Sequence, residues 1–256
     1  MTTAIRAQEL EAGYGPREVL RSLTFELPAD RISVILGPGG SGKTTLLRAL
    51  FNRGGGLPDD FWHRGQLSLP PVLPCILRQS LKPDDRSLCD LLVEVKCTPN
   101  DCDYLEPCLE KRTGLPWDTR DRKDCPRLLR EIWHAVPEAA DALLPCLDEP
   151  LMDLPVSLAR LAALTALVAP PSPPFLLLDE PEAGTEPETW SWMIQKLRQL
   201  RGKTVILVTH NLQLARAVAD YVMLLIDGEI VEAAEASAFF EQPMHPRAQH
   251  FVRMGC

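Results

Sequence analysis

Several features are missing from this sequence, and each absence excludes something. No stretch approaches the roughly 18–20 uninterrupted apolar residues a helix needs to cross a bilayer. The best run, Leu158 to Val168, is too short and carries Arg160. Positive charge is not in excess: 27 Lys+Arg against 35 Asp+Glu leave a net charge of −8. A general nucleic-acid binder is therefore excluded, because phosphate neutralisation needs a basic face. The 8 cysteines include no Cys-x-x-Cys pair, and a chain of 256 residues needs no disulfide staples. The first ten residues, MTTAIRAQEL, lack an apolar signal core, so the expectation is a cytosolic protein unless a partner holds it at a membrane. Glycine (15) is outnumbered by proline (24), with many prolines between residues 58 and 174. That region predicts short helices broken by rigid turns, not a continuous sheet.

What is present is ample for a folded core. With 45% hydrophobic and 24% charged residues, disordered and fibrous classes are out. The length suits one large α/β domain or a core with a modest insertion. Three short Leu-rich and β-branched runs, 31–36, 175–178 and 204–209, predict buried parallel strands. Each precedes small polar residues and then a helical pattern, the rhythm of a parallel sheet. Residues 6–27 alternate around a Gly-Tyr-Gly-Pro turn and predict an antiparallel β-subdomain. Residues 221–226 and 229–232 flank Asp227-Gly228, a strong hairpin signal. From about 80 to 150 the composition changes to mixed Cys, Pro, Asp and Leu, with helical spacing in Leu128–Val136, which predicts an inserted helical subdomain.

The strongest chemical signal is Gly37-Pro38-Gly39-Gly40-Ser41-Gly42-Lys43-Thr44-Thr45, a G-x-x-x-x-G-K-[ST] match between a strand and an apolar helical run. Glycines let successive N–H groups curl around phosphates, and the helix start adds partial positive charge. Lys43 is placed to reach the β/γ-phosphates of ATP, and the Thr44 hydroxyl suits Mg²⁺. Second, Leu176-Leu-Leu-Asp179-Glu180-Pro181 ends an apolar strand in two carboxylates. Asp179 is expected to hold magnesium through water and Glu180 to polarise the attacking water. Third, His210 follows a strand at a position from which it can reach the γ-phosphate; read alone, a histidine there is more often structural. Fourth, Gln79 offers a neutral amide to the metal shell, or is an ordinary exposed glutamine. Fifth, Tyr14 offers a ring to stack on adenine, or is a surface turn tyrosine.

The order Tyr14, loop 37–45, Gln79, carboxylates 179–180 and His210 resembles the nucleotide-binding ATPase subunit of ABC transporters. The resemblance implies an α/β fold: a RecA-like P-loop NTPase core (1–79 and 154–256) with an antiparallel β-subdomain and an inserted helical subdomain (80–153). It also implies two such subunits, as a homodimer or heterodimer, sandwiching two ATP molecules on the inner face of a membrane beside a permease. By similarity, Tyr14 is the aromatic platform and Gln79 senses the membrane partner. Glu180 is the catalytic carboxylate and His210 the switch histidine. Phe239-Phe240-Glu-Gln-Pro243-Met-His-Pro246 and Phe251 look like the closing helices of importer-type subunits.

One family element departs. Where relatives carry Leu-Ser-Gly-Gly-Gln, this chain has Leu154-Pro155-Val156-Ser157-Leu158, and no Ser-Gly-Gly stretch follows Ser41. Pro155 has neither hydroxyl nor N–H, and Val156 places a branched side chain where glycine lets backbone approach phosphate. Only Ser157 keeps a hydroxyl near the right place. A good signature on a heterodimeric partner is the expectation, with slow hydrolysis in a homodimer; each missing donor to a γ-phosphate costs roughly 10²–10³ in rate. Glu182-Ala-Gly-Thr-Glu186 likewise replaces the usual Ser-Ala-Leu-Asp. A soluble ATPase that remodels a complex and a nucleotide-switch regulatory subunit stand as alternatives. Cys97, Cys102, Cys108 and Cys125 are spaced for an iron–sulfur or zinc site or are scattered reduced thiols; the latter is the expectation.

Overall fold

Alternating apolar residues on either side of Gly15-Pro16 build the first sheet. In the computed structural model, which describes residues 3–51, 58–70, 74–77, 85–93, 122–169, 174–200 and 202–255, β1 (Thr3–Tyr14) and β2 (Arg17–Pro28) pair antiparallel from Tyr14↔Arg17 outward. Leu20, Leu23, Phe25 and Leu27 of β2 are buried while residues between them face out. Next come β3 (Ile32–Leu36), α1 (Lys43–Phe51), β4 (Phe61–Ser68), β5 (Cys75–Leu77) and α2 (Leu88–Val93). Then follow α3 (Cys125–Ile132), α4 (Pro137–Leu143), α5 (Val156–Val168), β6 (Phe175–Asp179) and α6 (Pro187–Arg198). The chain closes with β7 (Thr204–Thr209), α7 (Leu212–Val218), β8 (Tyr221–Ile226), β9 (Glu229–Glu235), α8 (Ala236–Glu241) and α9 (Pro246–Met254). These elements fall into two units, Met1–Leu73 with Arg201–Cys256, and Pro74–Leu200.

In the first unit β4 adds to β1 antiparallel, from Tyr14↔Phe61 to Arg6↔Ser68. This corrects the expectation of helices and turns throughout 58–174. Pro58 and Pro70 fall outside the strand instead of interrupting it, and its largely exposed residues suit a sheet edge. The second sheet of this unit is centred on β3, wholly buried, with β7 and β8 parallel on either side and β9 antiparallel to β8. Leu36 is level with both Thr209 and Leu224, so β3 and β7 end together while β8 runs on two residues to Ile226. Asp227 (φ 52°) and Gly228 (φ 75°) form the hairpin turn foreseen from their identity, both left-handed as a two-residue turn requires. Phe239 and Phe251 anchor the last two helices in the core.

In the second unit β5 runs parallel to β6. Helix α5 is buried at Ser157 and throughout Ala159–Val168, which explains its apolar run: a helix hydrophobic all round belongs in a core. Among the described residues, no helix is long and apolar enough to cross a membrane. The helical spacing expected at Leu128–Val136 is met by α3 as far as Ile132, where the helix stops at its cap, fully buried Trp133, and gives way to a turn. Trp133 Nε1 donates to Thr165 Oγ1 of α5 at 2.9 Å, and that hydroxyl donates to Leu161 O at 2.6 Å. The buried Lys196 ammonium of α6 donates to Ile132 O and lies 5.7 Å from the Trp133 ring centroid. Trp190 and Trp192 diverge on α6, as two residues apart must, and both are half-buried.

Replacing Thr165 by valine keeps the shape and removes the acceptor for the Trp133 indole. Leaving that donor unpaired costs about 1–3 kcal/mol. Chemical denaturation of Thr165→Val is expected to show a loss of this size with an unchanged m-value.

Candidate functional site

The phosphate-loop sequence folds as a strand–loop–helix. Leu36 ends β3, and α1 begins at Lys43. Two contacts make glycine obligatory here. A Cβ on Gly37 would lie 2.1 Å from Leu225 O of β8, and Gly42 (φ +105°) is in the left-handed region with Leu20 Cδ2 2.8 Å from where its Cβ would be. By contrast, an added Cβ on Gly39 or Gly40 meets nothing within 4 Å among the described residues, so there the loop has room for a ligand. The hairpin turn braces the loop from behind, with Gly228 N donating to Ser41 O at 3.0 Å. Arg247 of α9 in turn binds Asp227 at 2.5 Å.

Lys43 is buried, and its ammonium folds under the loop to donate to Gly37 O at 2.8 Å and Pro38 O at 2.9 Å. Its positive charge is thereby held against the start of the loop. Thr44 is exposed, Thr45 is buried, and buried Ser41 Oγ has no hydrogen-bond partner among the described residues. An orphaned hydroxyl, a caged ammonium and an open ring of glycine amides fit a polyphosphate. The exposed Thr44 hydroxyl fits a hard cation that takes oxygen ligands.

Tyr14, at the end of β1, is half-buried beside this loop. Its hydroxyl accepts from Arg48 Nη1 at 2.5 Å and lies 3.5 Å from Thr45 Oγ1, and its ring packs 5.4 Å from Phe61. His210 is exposed and directly follows Thr209, which is level with Leu36. Asn211 fixes the turn after it: the Asn211 N–H donates to Thr209 Oγ1 at 2.8 Å, and Asn211 Oδ1 caps α7 by accepting from Gln213 N and Leu214 N. Tyr14, residues 37–45 and His210 thus share the first unit.

Asp179 and Glu180 lie in the second unit, half-buried at the end of β6. Glu180 holds a left-handed backbone (φ 44°), a conformation uncommon for a non-glycine residue that must be held by its surroundings. Its carbonyl accepts from Ala183 N at 3.0 Å and from Arg160 Nη1 at 3.3 Å. Arg160 is 5% exposed. Burial pulls its pKa down, while Glu182, Glu180 and Asp179 push it back up. This guanidinium is the internal counter-charge of the carboxylate cluster.

The degenerate signature is also in this unit. Pro155 precedes α5, Val156 is 55% exposed, and Ser157 is turned inward. Ser157 Oγ accepts from Glu186 N at 3.1 Å. The one hydroxyl retained in the signature is therefore engaged within its own unit. Gln79 lies outside the described residues, as do Cys97, Cys102 and Cys108. Among the described residues no His, Cys, Asp and Glu group could hold a metal ion. Cys89 and Cys125, 36 positions apart, bring their sulfurs to 2.9 Å, both buried and both free thiols. Burial, and then the hydrogen bond with Cys89, push the Cys125 thiol up to about 12. Sequence reasoning missed this pair because no short spacing advertises it. Arg48 and Arg160 were missed too; both are cations in otherwise apolar helical runs, a signal that was there to use.

No family model matches the chain. It is 29% identical to a probable amino-acid ABC transporter ATP-binding protein of Haemophilus influenzae, over 97% of this chain and 94% of that protein. It is also 29% identical to the phosphate import ATP-binding protein PstB of Pyrococcus furiosus, over 98% of each. Among solved structures it matches a bacterial Atm1-family ABC exporter with ATP bound, at TM-score 0.71 and 18% identity, covering all of this chain and 42% of the exporter chain. It matches the ADP conformation of MJ1267, an ATP-binding cassette of an ABC transporter, at TM-score 0.67 and 18% identity over 100% of both. The fold is that of the ABC ATPase cassette. The sequence relatives are ATP-binding subunits of ABC transporters, phosphate importers among them.

Two outcomes follow from the packing. Gly37→Ala drives a methyl into the Leu225 carbonyl and is expected to lower Tm sharply, whereas Gly39→Ala leaves Tm within a degree or two of the parent, as open surface predicts. The Cys125 proton is retained in the folded chain between 9.0 and about 12, where the unfolded chain has released it. Its stabilising contribution is complete below pH 9.0 and lost as pH rises through about 12. Denaturation curves across that window should fall more steeply for the parent than for Cys125→Ala.

Proposed function

We propose that this chain is the ATP-binding subunit of an ABC transporter, binding and hydrolysing ATP in a dimer to drive a membrane permease as part of an importer. The observation that carries the reading is Lys43 caged against Gly37 and Pro38 carbonyls beneath an open glycine loop. Its ammonium is positioned to exchange those carbonyls for phosphate oxygens. In this reading residues 1–79 and 154–256 form the RecA-like core and 80–153 the helical subdomain. Tyr14 stacks on adenine and residues 37–45 bind the phosphates. Thr44, Asp179 and Gln79 hold Mg²⁺, which when bound neutralises charge gathering on the phosphate oxygens. Glu180 takes the proton of the attacking water, and His210 hydrogen-bonds the γ-phosphate. The subunit works at the cytoplasmic face of the membrane, bound to the permease.

The signature region supports a heterodimer. The cassette presented to a partner offers an exposed Val156, a proline without N–H and a serine oxygen already engaged by Glu186 N. A partner with an intact signature completes this chain's own site; this chain completes the partner's site poorly. The same features favour, as a second reading, a subunit in which nucleotide binding is a switch and turnover is slow.

Calorimetry of the purified chain with MgATP tests the core of this. The parent is expected to bind, Lys43→Ala to lose binding, and Glu180→Gln to bind without turnover. Hydrolysis should be slow alone and rise roughly 10²–10³-fold with a signature-bearing partner. Fast turnover by the lone chain would overturn the reading of residues 154–158.

A further inference from the structure

Stacking on a base requires only a ring, yet residue 14 is a tyrosine whose hydroxyl is itself held beside the phosphate loop. Arg48 Nη1 donates to it at 2.5 Å, a charge-assisted hydrogen bond. Arg48 belongs to α1, the helix that begins with Lys43. One helix therefore joins the group caged in the loop to the group that holds the ring, five positions further on. The guanidinium carbon is 5.7 Å from the ring centroid. With a nitrogen 2.5 Å from the hydroxyl, that places the guanidinium beyond the oxygen and not over the ring. It clamps the ring by its tip and does not cap the face by stacking.

The other restraints on Tyr14 come from the β-subdomain. Phe61, its register partner on β4, packs at 5.4 Å with the rings tilted by 58°. The turn that follows is fixed by Gly15 N to Asp60 O at 2.8 Å and by Trp62 Nε1 to Gly15 O at 2.9 Å. These contacts set where the ring begins. Arg48 is the closer of two side chains that tie its far end to the helix of the phosphate loop, Thr45 Oγ1 at 3.5 Å being the weaker one.

We infer that Arg48 is a positioning residue that locks the Tyr14 ring to the phosphate-loop helix and so fixes the span between base and polyphosphate, making the site selective for a nucleoside triphosphate over a bare triphosphate. The inference rests on the ATP-binding reading above and goes beyond it by assigning the tyrosine hydroxyl and the arginine a joint role. Recognition of the phosphates is independent of the clamp; recognition of the base depends on it.

The test is calorimetry of the full chain with MgATP and with magnesium tripolyphosphate, which has phosphates and no base. Arg48→Met is expected to weaken ATP binding about tenfold, the scale of one charge-assisted hydrogen bond, with tripolyphosphate changed less than about twofold. Tyr14→Phe keeps the ring and is expected to give the same selective loss. The double variant should lose no more than either single one, and Arg48→Lys should recover part of the affinity. Thermal melts confirm that each variant is folded. Equal losses for ATP and tripolyphosphate, unchanged ATP affinity, or additive effects of the two substitutions would each overturn the inference while leaving ATP binding intact. A parent chain that takes up neither ligand would overturn the nucleotide reading itself, and the clamp with it.

Discussion

Everything in the first unit is arranged around a backbone contact that admits no side chain. Gly37 lies so close to the Leu225 carbonyl that the loop must leave β3 where it does, curl over Lys43 and enter α1. Lys43 then has a fixed cage, and its charge, which would otherwise be costly to bury, is satisfied by two carbonyl oxygens. The alignment of Leu36 with Thr209 brings the ends of β3 and β7 to one edge, where ligands of open α/β sheets bind, with β8 running on beside them. Loop and histidine follow from that register, while the Tyr14 ring reaches the loop from the other sheet.

The second unit manages charge differently. Asp179, Glu180 and Glu182 gather near one arginine that is almost wholly buried, and the strained backbone of Glu180 is held by two donors to its carbonyl. Breaking one partner of such a cluster leaves an uncompensated buried charge, which is more destabilising than losing an exposed pair. Arg160 stands four positions after the signature's Val156 on the same helix. The region that departs most from the family pattern is thus structurally tied to the carboxylates that conform to it.

Much of this was legible because periodicity and glycine chemistry are local. The three buried strands, the Asp227-Gly228 hairpin and the phosphate loop each announce themselves within ten residues. Strand β4 did not, because flanking prolines suggested breaks and its edge position removes the alternation that burial imposes. Side-chain partners across long separations were invisible as well. Cys89 and Cys125 meet over 36 positions, Tyr14 and Arg48 over 34, and Ser157 meets Glu186 over 29. Residue type identified the candidate groups; only packing revealed which were already engaged. Ser157 is the instructive case, since its hydroxyl reads as open to a ligand in sequence and in the fold is buried, accepting from Glu186 N.

The contact of Gly228 N with Ser41 O, backed by Arg247 on Asp227, gives α9 a mechanical line to the glycine loop. A protein that seized α9 and displaced it would tug the hairpin tip and distort the loop's curvature. The last helix and the glycine loop are thus one mechanical assembly, in which strain placed on either reaches the other through Asp227-Gly228.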